Sequence, residues 1–184
     1  MVALTSLLLP IVLAAVLVFV ASSFIHMVLP FHRSDFHKLP AEDNLMEAMR
    51  QAAVVPGDYV MPCAGTPANM RTPEFQEKVK KGPVAFITVL PAGFAMGKSL
   101  VLWFLYSLLV GVFSGYVAGH TLAPGTEYIT VFRLVATVAF MGYSLALWQN
   151  SIWYKRPWIT TLKHTVDGLL YGLLTGGSFG WLWP

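Results

Sequence analysis

The sequence predicts an all-α integral membrane protein of four transmembrane helices, with a cytoplasmic cap of short helices and extended segments between helices 1 and 2. Three observations carry that expectation. The 184 residues are 56% hydrophobic and only 11% charged, with a mean hydropathy of +0.63, whereas a water-soluble domain carries about 25% charged residues. Four apolar stretches, about 4–29, 98–119, 127–149 and 159–182, each reach the roughly 20 residues of helix that cross a bilayer. The loop cations gather on one side of those stretches.

The first stretch, "LLLPIVLAAVLVFVASSFIHMVL", has no basic leader and exceeds the roughly 7–15 apolar residues of a signal peptide, so it reads as a retained span. Pro10 sits near its start, where a freed carbonyl is tolerated. Segment 31–97 holds Arg33, Lys38, Arg50, Arg71, Lys78, Lys80 and Lys81, and the short loop 150–158 holds Lys155 and Arg156. Loop 120–126 holds no Lys or Arg. With four spans, the two cationic loops share one face, which the positive-inside rule makes cytoplasmic, leaving both termini outside. The inner membrane of a bacterium is the expected location. Trp148, Trp153, Tyr154, Trp158, Trp181 and Trp183 fall at span ends, where amphipathic rings prefer the headgroup level.

Within 31–97, "AEDNLMEAMRQAA" reads as a short helix, with acids at its start, Arg50 near its end and Leu45, Met46 and Met49 as an apolar stripe. "TPEFQEKVKKG" reads as a second, with Thr72 as N-cap, Pro73 in the first position and Gly82 as terminator. "VAFITVL" is too short to span and is either a strand or an extended run. Rich in Pro and short, the segment is expected to cap the bundle rather than form a domain with its own large core.

The chain closes on "DGLLYGLLTGGSFGWLWP", where Gly168, Gly172, Gly176 and Gly180 recur every four residues; Gly111, Gly115 and Gly119 repeat the device in the second span. Glycine permits the closest approach of two helices in lipid, so both stripes are read as packing faces. The two spans run in the same direction, so the stripes are expected to pair with each other, with a further subunit as the other candidate. The third span offers Ala136, Ala139, Gly142 and Ala146 for the same purpose.

Polar chemistry is sparse. Asp167, about 8 residues into the last span, would cost roughly 2.5–3.5 kcal/mol if left unpaired there. Arg133 on the third span and His164, three residues before Asp167, are its expected partners in a buried polar lock or an ion path. Lys163 is expected to reach outward to the inner surface. His26 and His164 lie at similar depth, so haem b between them is the cofactor to consider, although none is predicted. His32 and His37 flank Asp35 in "FHRSDFHK" at a spacing poor for one helical metal site, and Cys63 with Met61 and Met70 is a weak soft-metal signal, so no metal site is expected. The single Cys63 also rules out an intrachain disulfide.

There is no G-x-S-x-G elbow and no H-E-x-x-H, and "AMGKS" lacks the first glycine of a phosphate-binding loop. An enzyme is therefore not the favoured reading. Nucleic acid is not an expected partner, because the net charge of +3 is dispersed over loops. The leading expectation is a non-catalytic helical membrane subunit that packs against other membrane proteins or itself. The alternatives are a small proton-coupled carrier or channel using Asp167, Arg133 and His164, and a haem b-binding redox protein using His26 and His164.

Overall fold

A computed structural model describes all 184 residues. The chain is mostly helical and divides into two compact units, residues 1–37 with 96–184, and Lys38–Ala95. The first contains α1 (Leu8–Met27), entered through one turn of 3-10 helix at Leu4–Leu7, then α4 (Met96–Thr121), α5 (Tyr128–Ser144), α6 (Trp148–Ile152) and α7 (Trp158–Trp181). A 3-10 turn at Leu145–Leu147 joins α5 to α6. The second contains α2 (Glu42–Gln51), β1 (Gly57–Met61), α3 (Pro73–Lys81) and β2 (Ala85–Val89).

Three helices are long and apolar enough to cross a membrane: Leu4–Met27, Met96–Thr121 and Tyr128–Ile152. Helix α7 matches them in length, 24 residues, or roughly 36 Å at 1.5 Å per residue. Its first ten residues, however, include Thr160, Thr161, Lys163, His164, Thr165 and Asp167. Thr160, Thr161, Asp167, Thr175 and Ser178 point inward and are buried, while Ile159, Val166 and Leu169 stand exposed on the other side. Averaging along the helix hides this division between its two faces. Inward hydroxyls bond to carbonyls of their own helices, as Thr175 does to Tyr171 at 2.8 Å and Ser107 to Trp103 at 3.0 Å.

The glycine stripes meet helices other than the ones spacing suggested. On α7 all four glycines face α5. A Cβ on Gly172 would stand 2.9 Å from the Ala136 carbonyl oxygen, one on Gly176 2.8 Å from that of Phe132, and one on Gly168 would collide with the Ser144 hydroxyl. On α4, Gly111 meets Ile11 of α1, Gly115 meets Phe179 of α7, and the Gly119 carbonyl accepts the Val2 amide at 2.7 Å. The α4 and α7 stripes therefore do not pair with each other. Small residues on both sides explain the choice, because Ala136 lets α5 come closer to α7 than a larger side chain would.

In the Lys38–Ala95 unit, Thr72 caps α3 by accepting the Phe75 amide at 3.3 Å, Pro73 takes the first helical position and Gly82 ends the helix at φ 61°. The "VAFITVL" run supplies β2, antiparallel to β1 with Gly57 opposite Val89 and Met61 opposite Ala85. Thr88 donates to the Asp58 carboxylate across the pair at 2.6 Å. No residue of this unit is buried.

Candidate functional site

The site lies within the first unit, where the end of α1, the turn that follows it and the start of α7 converge. Three physical decisions build it. First, His26 in the last turn of α1 lies with Nδ1 3.0 Å from the Ser22 carbonyl. A carbonyl can only accept, so Nδ1 carries a proton and Nε2 is the ring nitrogen left outside that contact. Second, α1 cannot continue through Leu29 and Pro30. The chain reverses in a 3-10 turn, Pro30–His32, held by the Arg33 and Asp35 amides on the carbonyls of Pro30 and His32. That reversal lays the His32 ring on the His26 ring, centroids 4.3 Å apart and planes within 6°. Third, His164 and Asp167 share a face of α7 by their spacing of three, and they come in from the opposite side.

Asp35 anchors the turn. Its carboxylate, 3% exposed, accepts from Lys163 Nζ at 2.9 Å and from His32 Nδ1 at 2.6 Å. Lys163 also donates to the Phe31 carbonyl at 2.7 Å and the Ser34 hydroxyl at 2.8 Å, so all three ammonium protons have acceptors. Desolvation raises the Asp35 pKa, but the hydrogen bonds and charges of Lys163 and His32 outweigh it and hold the carboxyl below its ordinary value. Lys163 thus turns into the cluster instead of reaching outward, because three oxygens are offered to it there.

Asp167 is 4% exposed. Its Oδ2 lies 3.0 Å from His32 Nε2 and 3.6 Å from His164 Nδ1. Yet neither Asp167 Oδ2 nor His32 Nε2 makes a hydrogen bond, and both are buried. The two atoms are close enough, but an N–H on Nε2 would not point at the oxygen. The His164 ring lies 4.9 Å from that of His32 and 6.0 Å from that of His26. One ligand atom from each of His26, His32, His164 and Asp167 falls within 4.8 Å of all the others.

The structure brings together His26, His164 and Asp167 from the sequence expectations, and it adds His32, Asp35 and Lys163. Arg133 is not among them: it is exposed on α5 and forms no ion pair. The physical reason is depth. The α5 residue beside Gly168 is Ser144, whereas Arg133 lies next to Phe132, which meets Gly176. That puts it eight or nine residues along α7, roughly 13 Å. Haem b is also disfavoured, because the His32 imidazole stands against both His26 and His164 where a porphyrin plate would need open space. His37 and Cys63 are exposed outside the cluster, and His120 Nδ1 is taken by the Tyr116 carbonyl at 2.8 Å.

His32 and Asp35 were legible only as a pair in a turn: Pro30 signals the reversal, and a spacing of three suits a 3-10 turn. Chemically, the assembly gathers three stacked imidazoles and a carboxylate with their ligand atoms within 4.8 Å of one another, backed by a second carboxylate. No family model, no curated protein and no solved structure matches this chain.

Proposed function

We propose that this chain is a four-span integral membrane protein that works as a non-catalytic subunit, packing against other membrane proteins or further copies of itself. The spans are α1, α4, the α5–α6 run and α7. Segment 31–97 and loop 150–158 lie on the cytoplasmic side of a bacterial inner membrane, with both termini outside. The observation that carries the reading is the inverted distribution of side chains. Buried positions are largely Gly, Ala, Ser and Thr, while Leu9, Val20, Leu105, Phe113, Val166 and Leu169 stand exposed. Such a surface is stable in lipid and against other helices, and unstable in water.

Two further features support a subunit over a carrier. Between Asp167 and the far end of α7, the inner face carries Tyr171, Thr175 and Phe179, each at most 4% exposed, a packed stretch with no ionisable carboxylate, Lys, Arg or His. The Lys38–Ala95 unit buries none of its residues and leaves Met46, Leu90 and Phe94 half exposed, the condition of a segment that gains its cover from something else. The test is the mass of the particle extracted in mild detergent, read by native mass spectrometry. Further polypeptides or several copies are expected; a particle holding one 20.3 kDa chain and lipid alone would overturn the proposal. A periplasm-active reporter at the C-terminus is expected to be active, and a stable, inactive fusion would reverse the orientation.

A further inference from the structure

We propose that His26, His32, His164 and Asp167 bind one divalent first-row transition-metal ion of the zinc, cobalt or iron(II) class, with Asp35 as the outer carboxylate that orients the ligands. The inference stands apart from the subunit reading, since every donor comes from a single chain.

The Nδ1 atoms of His26 and His32 are taken by the Ser22 carbonyl and by Asp35, which leaves Nε2 of each ring as the atom available to a ligand. His32 Nε2 stands 3.0 Å from Asp167 Oδ2, out of line for a hydrogen bond, and both atoms are buried without a partner. Buried polar atoms without partners are costly, and a cation within reach of both would satisfy them. His164 adds Nδ1 at 3.6 Å from Asp167 and Nε2 at 3.8 Å from Asp35, neither hydrogen-bonded.

Metal-bound imidazoles are held by a carbonyl or carboxylate on the other ring nitrogen. Ser22 and Asp35 occupy those positions, and Lys163 fixes Asp35 in turn.

Size fits as well. Zinc bonds of about 2.0–2.1 Å place tetrahedral donors about 3.4 Å apart, so pairs now separated by up to 4.8 Å close with about 0.7 Å of movement at each side chain, together with a turn of the stacked His26 and His32 rings that brings the ion into both ring planes. Three imidazoles and one carboxylate suit a borderline divalent ion. They do not suit calcium or magnesium, which take mostly oxygen donors, nor copper(I), which prefers sulfur.

The test uses the full chain in mild detergent, stripped with a chelator and titrated with cobalt(II), then with zinc as competitor. One cobalt per chain is expected, with visible d–d bands of a low-coordinate N/O site that zinc abolishes. His32→Ala and Asp167→Asn are expected to lose binding. Asp35→Asn is expected to keep one ion per chain and weaken its affinity 10–100-fold, a split that loss of folding would not give. His37→Ala and His120→Ala, outside the cluster, are expected to bind as the unaltered chain does. A folded, stripped protein that takes up no cobalt overturns the proposal, as does binding that survives both ligand variants. If the ligand variants do not fold, X-ray absorption of cobalt on the unaltered chain decides: imidazole scattering supports the site, and its absence overturns it.

Discussion

The two halves of α7 answer opposite problems. From Gly168 to Gly180 the helix offers α5 a side without side chains, and the backbones close until a single methyl has no room. From Thr160 to Asp167 it carries hydroxyls, an ammonium, an imidazole and a carboxylate into the interior. The first half is held by dispersion over a close approach, which any misplaced atom spoils. The second is held by directed polar contacts, which tolerate shape changes and fail when a partner is removed. Each half keeps one buried polar atom without a hydrogen bond, the Tyr171 hydroxyl among the glycines and Asp167 Oδ2 at the polar end, but it is Asp167 that has the imidazoles of His32 and His164 beside it.

The sharpest break of that contrast is at Asp35. Asp35→Ala leaves the Lys163 ammonium, 13% exposed, without its charge partner, and is expected to cost about 3–5 kcal/mol by thermal or denaturant unfolding in detergent. Asp35→Ala with Lys163→Met is expected to lose less than the sum of the two single changes; additive losses would remove the pair from the account.

Next in size is Gly176→Ala. Its methyl would lie 2.7 Å from the Ala136 side chain and 2.8 Å from the Phe132 carbonyl oxygen, and overpacking of this kind costs about 1–3 kcal/mol. Its neighbour provides the comparison. At Gly177 a methyl meets only the Tyr128 hydroxyl at 3.8 Å, so Gly177→Ala is expected to stabilise by up to about 1 kcal/mol through helix propensity. Equal effects at the two positions would mean that the glycine stripe does not govern packing.

The smallest effect is expected at Arg133. Exposed and without an ion pair, it is predicted to tolerate Arg133→Gln within about 0.5 kcal/mol in the same unfolding assay. A large loss would restore it as a partner of the buried charges.

Much of this was legible beforehand. Helix limits could be read because twenty apolar residues leave little choice, and three helices apolar enough to cross a membrane match the expected stretches within a few residues at most ends; α7 matches the fourth stretch in extent only. The matched depth of His26 and His164 could be read from their distance to the span ends. What could not be read was which helices become neighbours. A spacing of four marks a face for close approach, but α5 and α4 both offered small residues, and only the assembled bundle shows α7 against α5. Arg133 was misjudged for the same reason, since depth counted from each helix's own end ignores how far neighbours slide past one another. His32 and Asp35 were hidden by the turn after Pro30, where neither helical nor strand periodicity applies.

The two-sided character of α7 also bears on how the chain enters a bilayer. If α7 crosses as proposed, it could not do so alone, because Asp167 and the inward hydroxyls would meet lipid on every side. It must leave the translocon together with α5, or after α1 and α5 are already in place. Translation delivers α1 and α5 before α7, so under that proposal the helix least able to insert unaided follows neighbours that already stand in the membrane.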